Sequence, residues 1–300
     1  MKNNLVVQFV GAMVLFVLTA CGGSKEPTSS GLFGVVWSGN QFVGVGNNGI
    51  IRTSPDGVTW TPRNSGTTKS LLGLAWSGTQ FIAIGSTGVI LASPDGVIWT
   101  MRTSGTANNL YGVAWSGTQF VSVGEAGTVI TSPDGTNWTA QTSGTANNLY
   151  GITWSGTQFA TVGLNGSILT SPDGVVWTPR TSGVTDPLGG IIFAGTQFVA
   201  VGNAGAVLTS SDGVTWASQS SGISNGLSGI TWSGTQFVAV GDTGSIITSN
   251  DAITWSPRPG GTSNSLFGVA WSASQSQFVA VGWSNTILTS PDGITWTKRP

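Results

Sequence analysis

The sequence predicts an all-β fold: a seven-bladed β-propeller with four antiparallel strands per blade, preceded by a secretory signal. Three observations carry this. An aromatic residue recurs every 39 residues, at Trp37, Trp76, Trp115, Trp154, Phe193, Trp232 and Trp271. A second series runs Trp60, Trp99, Trp138, Trp177, Trp216, Trp255 and Trp296, and only its last step is longer, by the two residues added within 272–277. Between these markers each unit holds four short apolar runs separated by turn residues, and no helical period follows the first segment.

The first segment stands apart from the repeats. Residues 1–20 hold one Lys2, then an apolar run from Leu5 to Leu18, then small residues up to the only cysteine, Cys21. That order is a secretory signal. Leu18-Thr19-Ala20-Cys21 resembles the bacterial lipobox, and the resemblance implies that Cys21 is acylated and becomes the mature amino terminus. The lipid bilayer would then hold the chain through Cys21, at the bacterial cell envelope. Gly22 after the cysteine points to the outer membrane in a Gram-negative host. Residues 21–30 form a polar tether that reaches at most about 30 Å.

The propeller is expected over residues 31–300, with repeats starting near 31, 70, 109, 148, 187, 226 and 265. In the third unit strand A is expected at Leu110 to Trp115, strand B at Gln119 to Val123, strand C at Thr128 to Thr131 and strand D at Asn137 to Gln141. Strands B and C are apolar on both faces, as in Phe237-Val238-Ala239-Val240, which suits sheets stacked face to face. Strand D carries Pro62, Pro179 and Pro257 beside Arg63, Arg180 and Arg258. Proline cannot donate to a ladder, so D is expected at the outer edge and A beside the axis. Glycine inside every strand A (Gly34, Gly73, Gly112, Gly151, Gly190, Gly229, Gly268) fits a crowded axis. No strand is left over to complete a blade from both termini, so closure is expected from face packing.

The C–D turn repeats a motif, Ser54-Pro55-Asp56-Gly57-Val58-Thr59-Trp60 in the first unit. Its aspartates are Asp56, Asp95, Asp134, Asp173, Asp212, Asp251 and Asp292, and its tryptophans are the second series above. The motif resembles the Asp-box, or bacterial neuraminidase repeat, with Asp and Gly one residue closer than usual and Ala252 replacing glycine in the sixth copy. Turn chemistry alone accounts for these residue types: aspartate accepts from nearby N–H groups, glycine supplies a positive φ and tryptophan anchors the turn. They are therefore read as structural, with no metal and no cofactor. The overall rhythm also resembles the propellers of photosystem II assembly factors, a resemblance that implies a binding scaffold.

Composition narrows the chemistry. The 300 residues contain no histidine, 7% charged residues and a formal net charge of −1. A histidine base, a histidine-ligated metal and a disulfide framework are excluded, and no basic surplus exists for nucleic acid. The Asp-box resemblance brings in sialidases, so a sialidase-like glycoside hydrolase is the enzyme alternative. The resemblance would require an arginine cluster, a tyrosine nucleophile with a glutamate and an aspartate acid. Tyr111 and Tyr150 occupy the strand A position of Phe33 and Phe267, and the repeated arginines lie on strand D, so no catalytic residues are assigned. A passive surface-display or adhesion module is the second alternative.

Loop variation selects the face for a ligand. The A–B and C–D turns are nearly uniform, whereas the B–C hairpins and D–A connections differ from copy to copy. A binding site is expected on this variable face, for an unknown protein or polysaccharide, drawn from Asn47, Asn48, Lys69, Ser86, Thr87, Glu125, Asn165, Asp186, Asn203, Asp242 and Trp283. Trp283 either meets a partner or seals the joint between blades seven and one. Arg52 stands where other units carry Leu91, Ile130, Leu169, Leu208, Ile247 and Leu288. Such a charge must pair or reach solvent.

Overall fold

The computed structural model describes residues 30–300, which form seven four-stranded antiparallel sheets, each in the order A-B-C-D. The expected signal, Cys21 and nearly all of the tether lie outside the described residues. In blade one the strands are Leu32–Trp37, Phe42–Gly46, Ile51–Ser54 and Thr61–Arg63. In blade seven they are Leu266–Ser272, Gln277–Gly282, Ile287–Ser290 and Thr297–Arg299. Successive strands A touch one another around the axis, and strand D is the exposed edge.

Strand D starts later than its sequence suggests. In blade three it is Thr139–Thr142, because the C–D corner runs on through Trp138, whose indole N–H donates to Gly135 O at 3.3 Å. Strand B begins at Phe120 rather than Gln119 for a related reason: Gln119 is held in the A–B turn by Ser116. In blades one to six the B–C hairpin closes through a short helical turn whose middle residue lies in the left-handed region although it is not glycine, as at Ala126 (φ 51°) and Thr243 (φ 55°).

Each joint between blades is a dry apolar layer. Val121, Val123 and Val129 of blade three meet Leu149, Phe159, Leu169 and Trp177 of blade four. Burying one such phenylalanine is worth roughly 1.5–3 kcal/mol. In blade three the strand B phenylalanine, Phe120, lies between two tryptophans, 4.4 Å from Trp115 and 6.3 Å from Trp138. At the axis the strand A glycines admit the neighbouring main chain. A Cβ at Gly73 would lie 2.6 Å from Tyr111 O, and one at Gly229 would lie 2.5 Å from Phe267 O.

Strand A also carries a bulge in every blade. Leu32 pairs with Gly46 and Gly34 with Val45, which leaves Phe33 without a ladder partner. The same shift skips Leu72, Tyr111, Tyr150, Gly189, Ser228 and Phe267. A bulge re-aims its extra residue. Here five of them, Phe33, Leu72, Tyr111, Tyr150 and Phe267, gather into one buried cluster with Leu164 and Trp283 packed against it.

The circle closes without a shared sheet. Leu32–Trp37 pairs with strand B of its own blade, and Leu32 and Phe42 pack on Ala270, Val279, Val281 and Ile287 of blade seven. Asn285 N–H donates to Ser30 O at 2.8 Å across this seam. Trp283 packs edge-on against Phe33 and Phe267, with centroids 5.3 and 5.8 Å apart. Arg52 is half-buried on the strand C face that turns toward blade seven, and it lies opposite Gly44.

Candidate functional site

The two faces of the disc are built differently. On the corner face each aspartate curls back onto its own turn. In blade four Val175 and Val176 N–H groups donate to Asp173 Oδ1 at 2.9 and 3.0 Å, and Ser171 Oγ donates to the same oxygen at 3.0 Å. Gly174 N–H donates to Ser171 Oγ at 2.8 Å. These donors favour the charged carboxylate. Hydrogen bonds from Asn137 and Thr136 hold Asp134 down at about 2, and those from Thr254 and Ile253 hold Asp251 at about 2.

The A–B turn glutamine has a role that sequence reasoning missed. Gln119 Nε2 donates to Asp173 O of the next blade at 2.6 Å, and Gln41 and Gln158 reach Asp95 O and Asp212 O in the same way at 2.6 and 2.7 Å. Gln277 of blade seven makes this bond to Asp56 O of blade one and so latches the seam. The bond lengthens to 3.2 Å at Gln197, whose acceptor Asp251 precedes Ala252 (φ 62°) instead of glycine. A Cβ at the matching Gly213 would lie 2.9 Å from Gln158 Nε2, so the Ala252 methyl accounts for the longer contact.

On the opposite face the first hairpin residue is fixed by its backbone and free to vary in its side chain. Its N–H donates to the residue before strand A of its own blade, as in Glu125 N to Asn109 O (2.8 Å) and Asp242 N to Gly226 O (2.9 Å). The result is a ring of Asn47, Ser86, Glu125, Leu164, Asn203, Asp242 and Trp283 around the ring of bulged strand A residues. Together they make the axial mouth.

The sequence-selected residues fall into three groups here. Asn48, Lys69, Thr87, Asn165 and Asp186 are exposed, while Ser86, Glu125, Asn203, Asp242 and Trp283 are half-buried. Asn47 is buried, and its Oδ1 accepts Gly31 N–H at 2.8 Å, so it faces the chain and not solvent. Lys69 and Asp186 lie on D–A connections two residues before strand A, and Lys69 lines a cleft together with Thr87 of the adjacent hairpin. None of the bulged positions is among the residues that the sequence selects for the site. The signal that could have singled them out is the glycine that follows each of them.

The mouth is uneven. An apolar arc runs through blades seven, one, two, three and four, with Tyr111 and Tyr150 5.4 Å apart. Blades five and six place Gly189 and Ser228 at the equivalent points, below Asn203 and Asp242. Glu125 Oε2 accepts from Asn109 N–H at 3.2 Å and Asn109 Nδ2 at 2.9 Å. Burial, reinforced by the Glu125 charge, pushes the Tyr111 phenol far above its usual range, and burial raises Tyr150. A side-chain hydrogen bond between Asn148 and Tyr150 works against that rise.

The strand D arginines lie far from this mouth. Arg63, Arg180, Arg258 and Arg299 donate through Nε to Thr53, Thr170, Thr248 and Thr289 at 2.7–2.9 Å. Blade two has Ala92 in place of that threonine, and the buried Arg102 Nε is left without a hydrogen-bond partner among the described residues.

No protein-family model and no curated protein matches this chain. Solved structures do. A structure described as YCF48 bound to D1 peptide superposes with a TM-score of 0.72 at 17% identity, covering 91% of this chain and 94% of that one. YCF48 from Cyanidioschyzon merolae gives 0.69 at 18% identity, with 88% and 96% covered. The WD40 β-propeller domain of Doa1 gives 0.72 at 11% identity, with 90% and 96% covered. At these identities the likeness is one of fold, and the chain is a seven-bladed, all-β propeller.

Proposed function

We propose that this chain is a non-enzymatic binding scaffold, anchored in the bacterial envelope through acylated Cys21, whose mouth face receives a protein partner. One observation carries the reading: the same backbone presents seven near-equal corners on one face and hairpin side chains of six kinds on the other. Recognition needs unlike groups at fixed places, and only the mouth face offers them. The YCF48 structure described as bound to a D1 peptide is a propeller of similar fold in the company of a peptide, which supports the same manner of use here.

The site gives little support to hydrolysis. The two tyrosines are packed against each other below the surface, and the Glu125 carboxylate is engaged by Asn109. The Asp-box reading of the corners fits a structural role, since the carboxylates are occupied by their own turns. The nine residues 22–30 that follow acylated Cys21 keep the propeller within about 30 Å of the bilayer, and in a Gram-negative host that bilayer is the outer membrane.

Capture from detergent-solubilised envelope tests this. Wild type should retain a protein that is lost when Asn48, Thr87 and Asn165 are changed together to alanine, and kept when the corner residues Val175 and Val176 are changed. Cys21→Ser should release the protein from the membrane fraction. Binding on a glycan array with no protein captured would move the assignment to a polysaccharide. Turnover of a fluorogenic sialoside that vanishes with Tyr111→Phe would overturn it.

A further inference from the structure

We propose that blade two carries, on the mouth face, a cleft for an acidic side chain of a protein partner, a glutamate or aspartate carboxylate held by Lys69 and Arg102. This rests on the scaffold reading and names the place and the chemistry it would use. The cleft has a volume of about 540 Å³ and is bounded by the D–A connection that enters blade two, by Thr87 and Gly88 of the hairpin, and by Met101 and Arg102 of strand D. Lys69, Thr87 and Met101 are exposed and Arg102 is half-buried, so the cleft opens to solvent. No carboxylate lines it. Two cations without an acid attract an anion and repel a base.

The same cleft recurs in blades three, four and five, where charge is absent or tied down. The linings in blades three and five contain no charged residue. Blade four has Arg180 alone, and its Nε donates to Thr170 Oγ1 at 2.9 Å. Blade two departs from the repeat at three points that bear on its two cations. Two residues before strand A, blades three, four and seven carry an asparagine whose Nδ2 donates to a hydroxyl at the end of the hairpin: Asn108 to Thr128, Asn147 to Ser167 and Asn264 to Thr286, at 2.7–2.8 Å. Blade two has Lys69 for the asparagine and Val89 for the hydroxyl, so that tie is gone and an ammonium stands in its place. On strand C, Ala92 replaces the threonine that holds Arg63 and Arg180 in their blades, and nothing ties the Arg102 Nε down. Val89 and Ala92 thus remove the fold's own acceptors from beside two cations that share one cleft.

The donors and the apolar wall together select the ligand. A guanidinium presents paired N–H groups that match the two oxygens of a carboxylate, and an ammonium adds donors of its own. Met101 is 58% exposed beside Arg102, and Val89 lines the same cleft, so an apolar neighbour of the acidic residue has a surface to cover. A carboxylate next to an apolar side chain is a feature of a peptide segment and not of a sugar acid. Methionine and arginine are also enriched where proteins meet.

Of the three methionines only Met101 lies among the described residues. Isotopic labelling of methionine methyl groups in the full chain, held in detergent micelles, therefore gives an NMR signal at the cleft, assigned by its loss in Met101→Leu. Acetyl-Leu-Glu-Leu amide should shift that signal with an affinity of about 1 mM or better, and the neutral isostere acetyl-Leu-Gln-Leu amide should be at least about fivefold weaker. Lys69→Asn and Arg102→Gln install residue types that blade three carries at the same places, Asn108 and Gln141, so the variants should melt as wild type does. Each should narrow the preference for the glutamate peptide, and the two together should erase it. Equal response to the two peptides, an unchanged preference in the double variant, or a Met101 signal that stays put at about 10 mM glutamate peptide would each overturn the proposal. So would a response to glucuronate as strong as that to the glutamate peptide, which would assign the cleft to a sugar acid. An envelope protein that the double variant still captures would sink the cleft and keep the scaffold. A glutamate preference with no protein captured would sink the scaffold and keep the cleft.

Discussion

The corner face and the mouth face are made by one backbone, yet their side chains answer to different demands. At a corner, the serine, aspartate, glycine and tryptophan all bond within the turn, and the glutamine of the previous blade bonds to its carbonyl. Every residue there has a partner that a substitution would remove. At the mouth, the hairpin is fixed by main-chain bonds from its first N–H, so the side chains can differ at no cost to the turn. The contrast teaches that repetition marks where the fold depends on a side chain, and variation marks where the backbone suffices.

Four substitutions or conditions sharpen this comparison. The largest effect is expected beneath the corner face. Phe159→Ala removes a fully buried ring between the two halves of a joint and should cost about 3–5 kcal/mol in urea unfolding. A loss below about 1 kcal/mol would mean that the joints are loosely packed.

Next in size, because seven corners act together, is acid. Hydrogen bonds from their own turns hold the corner carboxylates below the usual aspartate range, with Asp134 and Asp251 at about 2. A depressed carboxylate stabilises fully above its unfolded pKa and ceases to do so as pH falls through its folded pKa. Stability should therefore hold from neutral pH to about 4 and decline from there toward about 2, where the Asp134 and Asp251 contribution goes. Thermal unfolding across this range checks it, and an Asp134→Asn variant should show a shallower decline.

A smaller effect tests the odd member of the repeat. Ala92→Thr supplies the hydroxyl that Arg63 and Arg180 meet in their blades and should stabilise by about 1 kcal/mol through Arg102. Paired with Arg102→Ala, the gain should disappear. The smallest effect belongs to the mouth: Asn48→Ala and Thr87→Ala should each stay within about 0.5 kcal/mol of wild type. A larger loss would show that the variable face also supports the fold.

Much of this architecture could be read from the chain alone because its determinants are local and periodic. The 39-residue spacing marks the blades, Pro62 and Arg63 mark the outer strand, and the Asp56-Gly57 pair marks a turn. The latch could not be read in the same way. Gln119 and the carbonyl of Asp173 are 54 residues apart, and a glutamine in a repeated turn looks like any polar turn residue until the neighbouring blade is placed beside it. The mouth was half legible. The hairpin residues stand out by their variation, but the bulge that turns Tyr150, Gly189 and Ser228 into its inner ring is a register shift, marked in the sequence only by the glycine that follows each of them. Trp283 and Arg52 were visible as departures from the pattern. Only the packing on Phe33 and Phe267 gives Trp283 its place at the seam.

The bond from Gln277 to Asp56 gives the last joint the same latch that Gln41, Gln80, Gln119 and Gln158 make at theirs. A circle joined this way keeps no record of where it was cut. A gene that opened it between other blades, as a circular permutant does, would still bring complementary surfaces together. A gene that gained or lost one copy would do the same, until the wedges no longer filled the turn at the hub. Ring size in such a protein is a matter of how thick each wedge is near the centre, and the bulged inner residues are the ones that set that thickness.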